Sequence, residues 1–190
     1  NQNLQMLEKQ REMFDSSVAK LDSLELRNYP SLKSATKVIQ KGKMMQKLAS
    51  DLKKYIVELG KEGTLLKTRL KELMSNVENE TDLVIKDYTR LDLKKSKIFL
   101  EELSHEELLE SDNILTAMAY EKEVQAEPIK GWRILSRTSL EQQEVAEIIK
   151  QAGSLGKAIY SNINFHREII GEEKSKLFKE ELENIKLNTF

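Results

Sequence analysis

Only two prolines interrupt this chain of 190 residues, Pro30 and Pro128, and around them apolar side chains recur at steps of three and four. That spacing belongs to the α-helix. With seven glycines and 33% charged residues, the chain is suited to long helices and poorly suited to sheets. From Leu4, the positions Leu7, Phe14, Val18 and Leu21 form a narrow seam broken only by Arg11. A stripe that narrow meets another helix, from the same chain or from a second copy. Asn28-Tyr29-Pro30 ends this helix, because the residue before a proline is driven out of helical geometry. A second helix is expected from Leu32 to Leu59, with Ala35, Val38, Ile39, Met45 and Leu52 on its apolar face.

Gly60 and Gly63 mark either a break or a point where one helix passes closely by another. Leu66, Leu70, Leu73, Val77 and Val84 then share a face, while Asn76 to Asp82 reads as a looser polar turn. Ser104-His105-Glu106-Glu107 has the spacing of a capping box. Glu127-Pro128 divides the chain into residues 1–128, a helical spine, and residues 129–190, a small terminal module. In that module Trp132 to Ser136 reads as extended, and Trp132 as its core anchor. Thr138-Ser139-Leu140-Glu141 reads as a second capping box, opening a helix that turns Val145, Ile148 and Ile149 inward and stops at Gly153. A shorter helix over 154–160 and a polar turn at Asn162 and Asn164 follow. Gly171 then opens a last helix that buries Phe178, Leu182 and Ile185. The expected fold class is all-α.

Little in the sequence carries covalent chemistry. No cysteine is present, which removes disulfides and thiolate metal sites and fits a cytoplasmic setting. No apolar run approaches the roughly 20 residues of a membrane-spanning helix. His105 and His166 lack metal-ligand spacing and read as surface or capping residues. Glu101-Glu102, Glu106-Glu107 and Glu172-Glu173 read as solvated helix charge. P-loop, nucleophile-elbow and His-Glu-x-x-His patterns are missing, so no catalytic and no metal-binding residue is assigned. A net charge of −1 exerts no global pull on nucleic acid, and any such contact must be local. Lys33, Lys37, Lys41, Lys43, Lys47, Lys53 and Lys54 are the densest basic run, offset by Asp51. Lys33, Lys37 and Lys41 share a face through four-residue spacing and form a candidate secondary basic surface.

The stretch from Tyr55 to Tyr88, YIVELGKEGTLLKTRLKELMSNVENETDLVIKDY, resembles the helical region of the bacterial DNA-integrity scanning family, DisA. Gly131-Trp132-Arg133-Ile134-Leu135-Ser136 resembles that family's Gly-Tyr-Arg-Leu-Leu-Ser entry to its hairpin module, and Ile170-Gly171-Glu172-Glu173-Lys174 the hairpin itself. The resemblance implies a long helical spine followed by a RuvA-like helix-hairpin-helix domain. It also implies sequence-independent binding of branched or damaged DNA, coupled to a diadenylate cyclase domain that makes cyclic di-AMP. Gly171 is then the phosphate-facing glycine, Lys174 and Lys176 stand where the family places arginine or lysine, and Ser175 takes the small alanine position. The first glycine of the family's Gly-Ile-Gly is Ile169 here. The cyclase motifs Asp-Gly-Ala and Arg-His-Arg do not occur, so ATP and its divalent metal belong to a domain outside this chain. The implied partners are DNA, that cyclase domain and, through the parent protein, further copies. A second reading, an assembly or spacer module that has lost DNA binding, rests on the narrow seam of Leu4 to Leu21 and on the terminal module's neutrality: residues 131–190 carry nine Lys+Arg and nine Asp+Glu.

Overall fold

A computed structural model describes residues 2–189 of the chain. Among them every regular element is helical, so the fold is all-α. The helices group into two compact units. One holds the chain up to Val18 together with Lys33–Glu123, the other Ala19–Leu32 together with Val124 onward. No helix among the described residues is long and apolar enough to cross a membrane.

The first unit draws on the start of α1 (Gln2–Leu26) and on α2 (Leu32–Leu59), whose bounds follow the Asn28-Tyr29-Pro30 stop. Leu7, Phe14, Val38, Ile39 and Met45 are all buried. Arg11, the gap in the α1 seam, donates to the carbonyls of Leu73 and Ser75 at 2.8 Å each, where helix α3 (Thr64–Leu73) runs out of intrahelical partners. The glycine pair makes a true break: Gly60–Gly63 is a 3-10 turn, entered at φ +62°. Helix α4 (Val77–Tyr88) starts directly after Asn76, which sits at φ 63°. The polar stretch from 77 to 82 is therefore helix, where a looser turn was expected. Glu78 and Glu80 in its first turn suit the helix dipole, and Thr81, fully buried, returns its hydroxyl to Val77 O at 2.7 Å. A side chain at Gly42 would collide with Thr81 Oγ1, so α2 and α4 approach at a point only glycine permits. Helices α5 (Leu93–Glu101), α6 (His105–Leu108) and α7 (Ser111–Ala117) complete the unit. The capping box at α6 forms reciprocally, Glu107 N to Ser104 Oγ at 3.1 Å and Ser104 N to Glu107 Oε1 at 3.0 Å.

The second unit contains α8 (Trp132–Leu135), α9 (Gln142–Ala152), α10 (Leu155–Tyr160), α11 (Ile163–Ile170) and α12 (Glu172–Thr189). Trp132 to Ser136 is a helical turn, where extended chain was expected. Leu135 N and Ser136 N bond to Gly131 O and Trp132 O at 3.0 Å each. The turn buries three consecutive side chains, Arg133, Ile134 and Leu135, which a strand with alternating faces would not do. Trp132 is only half-buried, and the anchor is its neighbour Arg133, 1% exposed. The capping box of α9 sits three residues later than the sequence suggested, between Glu141 and Glu144. Thr138 instead turns its hydroxyl back to Leu135 O at 2.7 Å, and Ser139 is held by Glu181 at 2.7 Å. Of the expected polar turn, Asn162 caps α11 through Phe165 N at 3.1 Å, and Asn164 lies inside that helix. His166 is a core residue rather than a surface or capping one. It is 3% exposed, its Nε2 donates to Ala158 O at 2.7 Å, and its ring meets Phe178 edge-on at 5.0 Å.

Candidate phosphate-binding turn

The junction of α11 and α12 depends on one backbone conformation. Gly171 sits at φ 86°, ψ 170°, a region essentially closed to residues with a Cβ. No atom lies within 4 Å of where a Cβ would stand, so the demand for glycine comes from the backbone and not from crowding. The Gly171 amide is already used, donating to Arg167 O at 2.9 Å to close α11. The first bond of α12 runs from Ser175 N to Gly171 O at 3.1 Å. The amides of Glu172, Glu173 and Lys174 between them belong to the first helical turn, which has no intrahelical acceptors. A helix of 18 residues thus presents three amides and its positive dipole end at an exposed corner.

The side chains there qualify that picture. Ser175 is fully buried and donates its hydroxyl to Glu172 O at 2.8 Å. It is a packing residue, consistent with a small position, and its side chain does not face solvent. Lys174 reaches back to α9 and pairs with Glu144 at 2.7 Å. This hydrogen bond raises the Lys174 pKa above its ordinary value and lowers that of Glu144. Lys176 lies 3.7 Å from Glu172, both exposed. Glu172 and Glu173 stand at the mouth of the turn, where their charge opposes an approaching phosphate. The structure therefore brings Gly171, Lys174, Ser175 and Lys176 to one corner, with one lysine tied down and one loosely paired.

The secondary basic surface lies in the other unit. Lys33 and Lys37 are exposed on α2 and Lys41 half-buried, and none of the three joins an ion pair among the described residues. Lys43, from the same run, is instead buried at 4% exposure. Among the described residues no three His, Asp or Glu side chains stand together as a metal site would need.

Two features escaped sequence reading. The Glu144–Lys174 pair joins residues on different helices and has no local signal. The second is an ionic cluster inside the same unit, where Arg133 donates to Asp22 and, at 2.9 Å, to Glu25. Arg137 adds bonds to Asp22 at 2.8 and 2.9 Å. Its one sequence signal was an arginine beside the chain's only tryptophan.

Residues 1–127 match the DisA bacterial checkpoint controller linker region. The DNA integrity scanning protein DisA of Clostridioides difficile is 35% identical over 143 residues, covering 72% of this chain and 40% of that protein. Its counterpart from Carboxydothermus hydrogenoformans is 30% identical across 100% of this chain and 57% of its own length. That from Acetivibrio thermocellus is 28% identical across 100% of this chain and 56% of its own length. The chain thus spans about half the length of the relatives it matches. A linker match over two thirds of the sequence, continued by similarity through its last helices, establishes that this chain belongs to the DisA family.

Proposed function

We propose that this chain is the non-catalytic, DNA-binding and spacing part of a DNA-integrity scanning protein, acting in the cytoplasm and coupled to a diadenylate cyclase domain elsewhere in the parent protein. The second unit acts as a helix-hairpin-helix module. It takes a phosphate of branched DNA at the first turn of α12, and the occupied turn alters what the cyclase domain can do. The observation that carries this reading is the backbone of Gly171, held where only glycine sits comfortably, at the start of an 18-residue helix. Backbone amides ignore base identity, which suits recognition of DNA shape over sequence.

Titration of the chain against a four-way DNA junction across a salt series tests it. Binding should weaken with salt at a slope of about 0.9 per phosphate neutralised. Lys174→Glu with Lys176→Glu should weaken it sharply, and unchanged affinity in that double variant removes the assigned site. The second reading, an assembly module, is favoured by one specific feature: Glu172 and Glu173 at the mouth, with Lys174 held by Glu144. Concentration-dependent sedimentation without any junction binding supports it over the first.

A further inference from the structure

The corner between α4 and α5, in the first unit, forms a groove of about 720 Å³. Leu91, Leu93 and Ile98 give it an aliphatic floor, and Lys86, Lys94 and Lys97 stand around it. Ile98 and its neighbour Phe99 are each left 49% exposed. A lone exposed apolar side chain means nothing, but Ile98 set over a concave aliphatic floor with Leu91 and Leu93 marks a surface that gains by being covered.

The charge around this floor says what covers it. From Lys86 to Lys97 the chain carries five cationic side chains and two anionic ones, although the whole protein has a net charge of −1. Both anions already serve the fold, although Asp92 also lines the groove. Asp92 caps α5 by accepting from Lys95 N at 2.8 Å, and Asp87 is buried. Lys94 and Lys95 are exposed and join no ion pair among the described residues. Behind the rim, Asp82 accepts from Lys97 at 3.0 Å with one oxygen, and its other oxygen has no hydrogen bond. Asp82 is also the leading attractive charge on buried Lys43, ahead of Glu101 and Glu78, while Lys97 opposes them. Two ammonium groups thus draw on Asp82, although Lys97 also lies 3.8 Å from Glu78, and Asp92 and Glu101 are the acids that line the groove.

We propose that this groove docks an acidic peptide segment of a partner protein, with apolar side chains on Leu91, Leu93 and Ile98 and carboxylates on Lys94 and Lys97. A phosphate strand fits it less well. The lining holds no aromatic ring or arginine on which a base stacks, and an aliphatic floor offers a sugar-phosphate backbone nothing. The site is separate from the turn at Gly171 and stands or falls without it.

Fluorescence anisotropy of the full chain with a labelled helical peptide of Glu and Leu, against the same peptide with Lys for Glu, tests the proposal. The Glu peptide should bind and the Lys peptide should not. Ile98→Asp should weaken binding by about tenfold or more through loss of the central apolar anchor. Lys94→Glu with Lys95→Glu should weaken it by a comparable factor and flatten its salt dependence. All three positions are exposed, so unchanged thermal melts accompany both variants. No binding, equal binding of the Lys peptide, or binding indifferent to both variants overturns the proposal. So does capture of a single-stranded DNA oligonucleotide that the same variants abolish, or self-association of the chain that Ile98→Asp removes. The last two outcomes would assign the groove to nucleic acid or to a second copy.

Discussion

Among the described residues each unit buries one lysine or arginine, and the two are treated in opposite ways. In the second unit Arg133, with no side-chain exposure, spends its guanidinium on Asp22 and Glu25, and Arg137 adds a second cation to Asp22. In the first unit Lys43 is 4% exposed and its ammonium has no hydrogen-bond partner. Desolvation lowers its pKa, and attraction from Asp82 and Glu101 only partly offsets that. The difference follows from the head groups. A planar fork can satisfy two carboxylates at once and holds its charge at any working pH, whereas a lysine buried without partners responds by giving up its proton more easily. Arg133 therefore holds its unit together, and Lys43 burdens its own.

The largest expected effect is the loss of Arg133. Arg133→Met leaves Asp22 with Arg137 and takes from Glu25, whose side chain is fully buried, its ion pair with Arg133, and removing one partner of a buried pair costs about 3–5 kcal/mol. Urea unfolding should show the midpoint fall accordingly, and a loss below about 1 kcal/mol would mean that the cluster behaves like a surface pair. Arg133→Lys should recover only part of the loss, since an ammonium cannot bridge both acids.

Lys43→Met should move stability the other way. Asp82 keeps its bond to Lys97, so nothing new is stranded, and replacing a buried charge by an apolar side chain of similar length is neutral or stabilising by about 1–4 kcal/mol. The pH dependence has a definite sign. The folded-state pKa of Lys43 lies below the ordinary lysine value of 10.5, so between the two values the unfolded chain binds more protons and stability rises with pH. The advantage of Lys43→Met is full below the folded pKa and disappears as pH climbs past 10.5. An advantage that stays constant through that range would show that packing, not charge, sets the cost.

Gly171→Ala has a smaller and more local effect. The substituted residue must hold φ 86° and ψ 170°, at about 1–3 kcal/mol of backbone strain, with no collision to relieve because the space around it is open. Junction binding should fall together with stability. Unchanged stability would mean that the turn relaxes freely and the backbone there is not tightly held.

These contrasts also show what a sequence can disclose. The ends of α1 and α2, the box at Ser104 and the stop at Gly153 were legible because each is set by residues within a turn or two of one another. Burial of a charge is decided by distant partners: Arg133 and Asp22 are 111 residues apart, and Lys43, 4% exposed, follows Gly42, where α4 comes close to α2. The capping box expected at Thr138 forms instead at Glu141, because the Thr138 hydroxyl bonds back to α8. At the candidate turn the glycine was legible, while the Glu144 latch on Lys174 was not.

That latch permits the finest test. Lys174 is more than half exposed, a third kind of cation beside the two buried ones, and its pair with Glu144 should matter little to stability. Because the pKa of Glu144 is lowered, the pair persists at neutral pH and is lost only as pH falls through that depressed value. Glu144→Gln removes the anion at every pH and releases Lys174 towards the first turn of α12. If the turn takes phosphate, the salt slope of junction binding should then steepen by up to ~0.9, the increment of one added contact, with the urea midpoint unmoved. A slope unchanged by Glu144→Gln would place Lys174 outside the DNA contact and leave the pair as a tie between α9 and α12 alone.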